Sequence, residues 1–249
     1  MQKLFQTGRF VKTSKKGMIP IICLICNQKM SAKASWTSLL LLPEEKACDE
    51  CYQSLKKITG TTCPACCRPQ EAETLCNDCK KWEDDPQWKN ILQRNVSVFE
   101  YNDAMKEILS TFKFRGDAAL VEVFQKDISA CYRDDISTLQ IDFAVPIPLS
   151  KERLYERGFN QAKLLADLLP LPQQELLQRT HHEKQSKKSR LERLSAANVF
   201  SYAASSKIEH KTILLVDDIY TTGSTLRNAA KLLIQNGAKS VFSLTLIRS

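Results

Sequence analysis

The chain has 249 residues, a formal net charge of +8, 43% hydrophobic residues and 26% charged ones. That composition is globular and excludes a disordered or collagen-like chain. No uninterrupted apolar run reaches the ~18 residues a membrane-spanning helix requires, so no membrane insertion is expected.

Residues 1–20 read as a flexible basic arm, with Lys3, Arg9, Lys12, Lys15 and Lys16 and no acid. A secretory leader opens on such charge, but no apolar core of sufficient length follows here before cysteines begin. A cytoplasmic protein is expected.

Residues 21–84 are dominated by cysteine. Nine of the ten cysteines lie between Cys23 and Cys79; eight of them form four C-x-x-C pairs, Cys23/Cys26, Cys48/Cys51, Cys63/Cys66 and Cys76/Cys79, and Cys67 is the ninth. Two sulfurs three residues apart on a tight turn can face one ion, and two such turns complete a tetrahedron. The soft thiolates favour zinc. The gaps of 21 residues between the first two pairs and nine between the last two suit a ribbon with each pair at a β-turn. Pairing neighbouring turns predicts one zinc on Cys23, Cys26, Cys48 and Cys51, and another on Cys63, Cys66, Cys76 and Cys79. Interleaved pairing, first with third, fits the same spacing, and Cys67 competes with Cys66. Four thiolates close each site, so these metals would be structural and would replace the core that ~60 residues lack. Cys131 lies in an apolar helical stretch and reads as core. Lys29, Lys33, Lys56, Lys57, Arg68, Lys80 and Lys81 offset the negative charge of the thiolate clusters or meet nucleic-acid phosphates.

Asp84-Asp85-Pro86 marks a boundary, and residues 90–249 have a different texture. Val96 to Tyr101 reads as a strand. Asn102 caps a helix to about Phe114, with Met105, Ile108, Leu109 and Phe112 on one face. A turn, Phe114-Arg115-Gly116-Asp117, leads to a second helix ending near Tyr132. Ile141–Ile147 is a strand closed by Pro146 and Pro148. Asn160–Leu169 is a helix, Thr212–Val216 a strand, Ser224–Gln235 a helix and Val241–Ile247 a last strand. Strands alternating with helices predict an α/β domain with an open parallel sheet covered on both faces. Between them, Arg179, Lys184, Lys187, Lys188, Arg190 and Arg193 outnumber Glu183 and Glu192. Such a run is a solvated loop or closes over an anion.

Residues 213–225 read ILLVDDIYTTGST: a buried strand, two carboxylates, a hydroxyl-rich turn and a helix. Ligands of open α/β sheets bind at the carboxyl ends of strands, with phosphate at the next helix N-terminus. The amides from Tyr220 to Thr225 and the hydroxyls of Thr221, Thr222, Ser224 and Thr225 make a phosphate cradle. Gly223 allows close backbone approach. Asp217 and Asp218 suit a sugar diol, with Mg2+ nearby through substrate oxygens. A Walker A loop fails for want of Gly-Lys, and a dinucleotide fingerprint for want of glycines.

This segment resembles the phosphoribosyl-pyrophosphate (PRPP) signature of type I phosphoribosyltransferases. With Phe114–Asp117, Val145-Pro146-Ile147-Pro148, Arg157-Gly158-Phe159-Asn160-Gln161, the last strand ending near Arg248 and the leading double ribbon, the chain is similar to the ComF/GntX-like family. The resemblance implies a double zinc ribbon before a phosphoribosyltransferase fold. It implies that Asp217 and Asp218 hold the ribose hydroxyls, and that Thr221, Thr222, Gly223, Ser224 and Thr225 bind the 5-phosphate. Lys151, Arg153 and Arg157 would form the pyrophosphate loop, and residues 181–193 a mobile hood, here Lys-rich and Gly-poor unlike the family pattern. Mg2+ would accompany PRPP. The implied role is DNA uptake in natural transformation, with single-stranded DNA and a competence helicase as partners. Two other readings share these residues: a phosphoribosyltransferase of nucleotide salvage or modification, and a non-catalytic PRPP or nucleotide-binding regulator.

Overall fold

The computed structural model describes residues 21–30, 45–114, 118–179, 199–203 and 208–249. The basic arm, Lys33, the Arg115–Asp117 turn and the 181–193 hood lie outside them.

Four parallel strands form the sheet, in the order β1-β6-β5-β2: β1 (Asn95–Glu100), β2 (Phe143–Pro146), β5 (Thr212–Tyr220) and β6 (Ser240–Arg248). The two central strands, β5 and β6, are nine residues each and nearly all buried. They are runs of apolar β-formers because a parallel strand covered on both faces has no wet side. The expected strand at 212–216 continues to Tyr220, because Asp217, Ile219 and Tyr220 stay in register with Thr245, Ile247 and Arg248 of β6. The carboxylates are thus part of the strand.

The two faces bury separate cores. Leu214 and Val216 pack with Val96, Met105, Phe112, Phe124 and Leu165. Ile213 and Leu215 pack with Phe143, Val145, Leu226, Ala230 and Leu233. The helices supplying these layers include α3 (Asp103–Phe114), α4 (Gln125–Cys131), α6 (Gln161–Asp167) and α7 (Ser224–Gln235). Asn102 Oδ1 accepts the Met105 amide at 2.8 Å, the cap read from the sequence. The expected continuous helix to Tyr132 is instead a 3-10 segment, Ala118–Phe124, then α4, then a π-turn, Tyr132–Ile136. Apolar spacing alone does not distinguish these windings.

Three elements have no sequence signal. Helix α5 (Lys151–Arg157) buries no residue, so it has no apolar period; Ser150 caps its start and Gly158, at φ +78°, ends it. Strands β3 (Leu177–Arg179) and β4 (Phe200–Tyr202) pair antiparallel and flank the basic segment, but three residues are too few to show alternation.

Among the described residues, the ribbon's buried apolar side chains pack largely into the cores of the sheet. Cys23, Ala47 and Leu55 belong to one layer of the sheet's core, and Cys63, Cys66, Cys76 and Cys79 to the other. One strut between ribbon and sheet domain is polar: the Tyr52 hydroxyl donates to both oxygens of buried Asp127 at 2.8 and 2.7 Å, and Lys57 Nζ lies 2.5 Å from Asp127 Oδ1. The Asp127 hydrogen bond holds the Lys57 ammonium above its ordinary range. Asp127→Ala orphans the Tyr52 hydroxyl and is expected to cost about 2 kcal/mol, read as a fall in Tm with metal content unchanged.

Candidate functional site

The first and third C-x-x-C pairs are built alike. Cys23 and Cys63 amides donate to Gln28 and Arg68 carbonyls, and the Asn27 and Cys67 amides return to the Cys23 and Cys63 carbonyls. Asn27 and Cys67 hold the left-handed position, at φ 59° and 62°. The second and fourth pairs open short helices, α1 (Asp49–Gln53) and α2 (Asn77–Asp84), where β-turns were expected. Cys48 and Cys76 are the extended N-cap residues, and their amides donate to Cys23 Sγ and Cys63 Sγ at 3.3 Å. A helix start offers its free amides to the sulfur opposite, which a plain turn does not.

These knuckles bring together Cys23, Cys26, Cys48 and Cys51, and separately Cys63, Cys66, Cys76 and Cys79, each set with its sulfurs within 4.8 Å of one another. Neighbouring turns pair; interleaving does not occur. The Cys26–Cys48 and Cys66–Cys76 sulfurs are 3.9 and 3.7 Å apart. The edge of a tetrahedron with metal–sulfur bonds of about 2.3 Å is about 3.8 Å, so both sets could hold a metal ion. Cys67 is not among them: its buried thiol faces the Ser97 carbonyl of β1 at 3.7 Å. Burial pushes the half-buried Cys131 thiol up to about 12, an inert core cysteine. The hydrogen bond from Cys79 holds Cys66 down at about 4, and the Arg248 guanidinium adds to this against burial.

The second set adjoins the turn after β5. Asp217 is half-buried and Asp218 buried, and Asp217 Oδ1 accepts the Asp218 amide at 2.9 Å. Thr221, Thr222 and Ser224 are exposed, and Thr222 Oγ1 accepts the Ser224 amide at 3.4 Å. Gly223 has φ +82°, and a Cβ there would collide with the Tyr220 ring and hydroxyl beneath it. Gly223→Ala combines left-handed strain of about 1–2 kcal/mol with that collision. It is expected to lower Tm and to displace the turn, read by chemical shifts of residues 221–225.

Beside this turn lies the end of β2, where the Ile147 amide donates to the Val216 carbonyl. Helix α5 follows, with Lys151 and Arg153 exposed. Arg157 is differently used: its Nη1 donates to Gln161 Oε1 at 3.0 Å, while Gln161 Nε2 reaches the Phe112 carbonyl at 3.3 Å. Asn160 caps α6 and donates to the Ile147 carbonyl at 3.0 Å. The RGFNQ block is thus chiefly a brace for the loop that follows β2.

Residues 155–249 match a family model described as a phosphoribosyl transferase domain. The competence protein ComFC of Bacillus subtilis is 47% identical over 235 residues, covering 94% of this chain and 97% of that protein. The chain belongs to the ComFC family. The ComFC of Streptococcus pneumoniae is 35% identical over 228 residues, covering 91% of this chain and 99% of its own. The DNA utilization protein YhgH of Salmonella typhimurium is 27% identical over 240 residues, covering 90% and 95%.

Three residues of this candidate site escape sequence reasoning, and a fourth, Arg179, is legible there only as a member of the basic run. Arg179, ending β3, feels Asp217 and Arg153; burial and the Arg153 charge lower its pKa and Asp217 opposes them. Arg227 is buried in the first turn of α7, stacked 5.1 Å from the Trp82 ring and 3.5 Å from Glu83 Oε1. Trp82 Nε1 donates to the Thr222 carbonyl at 2.9 Å, and Arg248 Nη1 to the Tyr220 and Thr221 carbonyls at 3.1 and 3.0 Å. Only the partners distinguish these side chains from ordinary surface or core. Among the described residues, no helix is long and apolar enough to cross a membrane.

Proposed function

We propose that this chain binds PRPP or a closely related phosphosugar at the end of β5, and that it serves DNA uptake or utilisation. The observation that carries the ligand is the order of parts after β5: Asp217 and Asp218 within the strand, an exposed amide and hydroxyl turn at 221–225, and α7 opening directly on it. Free amides and the positive end of a twelve-residue helix favour a phosphate there. The buried Arg227 guanidinium behind the turn adds positive charge. Asp217 and Asp218 accept from the sugar diol. Lys151 and Arg153 face a leaving diphosphate, with Arg157 as the brace of that loop and a secondary contact. Mg2+ bound with the diphosphate would supply further charge neutralisation. The corner suits displacement at the anomeric carbon, where the protein orients the sugar and stabilises negative charge as the bond to pyrophosphate breaks.

In this reading both four-cysteine sets hold structural zinc, residues 21–84 form the double ribbon, and residues 90–249 form the phosphoribosyltransferase-like domain. The role in DNA handling rests on the relatives named competence and DNA utilization proteins. Single-stranded DNA and a competence helicase are the partners of that role. Titration of the metal-loaded chain with PRPP, with and without Mg2+, is expected to show one saturable site that Mg2+ strengthens. No heat at millimolar PRPP in either condition would overturn the ligand assignment.

A further inference from the structure

We infer that the second four-cysteine set and the phosphate-gripping turn form one mechanical unit, in which Trp82 and Arg248 are positioning residues that make the turn's shape depend on the metal. Helix α2 begins at the Cys76 and Cys79 ligands and ends one turn beyond, where it presents the Trp82 indole to the Thr222 carbonyl at 2.9 Å. Arg248, at the end of β6 and 3% exposed, spans the same gap from the other side. Its Nη2 reaches Cys66 Sγ at 3.4 Å, and its Nη1 reaches the Tyr220 and Thr221 carbonyls. Its guanidinium lies 4.9 Å from the centre of the Tyr220 ring, the ring that closes under Gly223.

Three successive carbonyls, Tyr220, Thr221 and Thr222, are therefore held by two side chains attached to one thiolate set. A trans peptide is planar, with its C=O and the following N–H pointing in opposite directions. Fixing those three carbonyls toward the ribbon turns the Thr221, Thr222 and Gly223 amides away from it, to the side where α7 opens. The amide array that would meet a phosphate is thus aimed from behind. Losing the metal frees Cys76 and Cys79 from a common centre, and with them the start of the helix that carries Trp82. Losing Arg248's grip on Cys66 uncouples the other link.

The ligand part of this inference rests on the phosphosugar reading; the mechanical part does not. The test uses the full metal-loaded chain, Trp82→Phe, which keeps the ring and removes the N–H, and Arg248→Lys, which keeps the charge and removes the fork. Both are expected to retain two metals per chain. Without ligand, the backbone order parameters of residues 221–224 are expected to fall in each variant, because their carbonyls lose a donor. Affinity for ribose 5-phosphate is expected to fall about fivefold, the scale of one lost hydrogen bond. In the cobalt-substituted chain, ribose 5-phosphate is expected to alter the thiolate-to-cobalt absorption, by reciprocity of coupling, and Arg248→Lys to abolish that change. Order parameters at wild-type values in both variants, with both metals bound, would overturn the inference. Lower order parameters with no ribose 5-phosphate binding by any form would sustain the coupling and overturn the phosphosugar reading.

Discussion

Replacing both strand acids, Asp217→Asn with Asp218→Asn, is expected to weaken PRPP binding by at least about 100-fold. A hydrogen bond to a charged group contributes about 1.5–3 kcal/mol, and two such acceptors serve the diol. Asparagine keeps shape and one acceptor oxygen, so Asp217's bond to the Asp218 amide survives. The fold should therefore persist. Calorimetric titration with PRPP and Mg2+ reads the affinity, and a thermal melt reads the fold. An unchanged Kd with an unchanged Tm would show that the sugar does not rest on these carboxylates.

The second large effect concerns metal. Cys66→Ser is expected to reduce bound zinc from two ions per chain to one and to unfold the second knuckle, while Cys67→Ser leaves both ions in place. The neighbouring thiols make this a sharp comparison. Cys66 is fully buried within the sulfur cluster, whereas Cys67 lies outside it and faces the Ser97 carbonyl. Structural zinc contributes about 10–16 kcal/mol in small ribbon peptides, as much as a whole domain's stability of about 5–15 kcal/mol. Here the loss does not stop at the ribbon. Cys63, Cys66, Cys76 and Cys79 share an apolar layer with Phe143, Val145, Leu226 and Leu233. Metal analysis after gel filtration and the amplitude of the thermal transition read the two effects. Equal zinc in both variants would show that Cys66 is not a ligand.

Much of this architecture was legible because the strongest signals are local. Cysteine spacing named the four pairs but left open which pairs combine, and the covered strands around Leu214 and Leu244 pointed to the parallel sheet. The helix start at Asn102 was readable from capping chemistry. What escaped lacked a period or depended on distant partners. Helix α5 is exposed on all sides, so no hydrophobic stripe announces it. The resemblance places Arg157 in a pyrophosphate loop; its bond to Gln161, four residues on, depends on how the chain turns at Gly158 and Asn160 between the two helices. Trp82 and Arg248 lie far apart in sequence, and no pattern in either segment says that both close on residues 220–222.

The two sulfur clusters differ in how they meet solvent. Cys26 is exposed, while all four cysteines of the second set are buried. Alkylating reagents, oxidants and chelators therefore reach the α3 side of the molecule first. An ion on the first set is expected to leave before one on the second, so metal starvation would loosen the first half of the ribbon while the turn at residues 221–225 stays assembled.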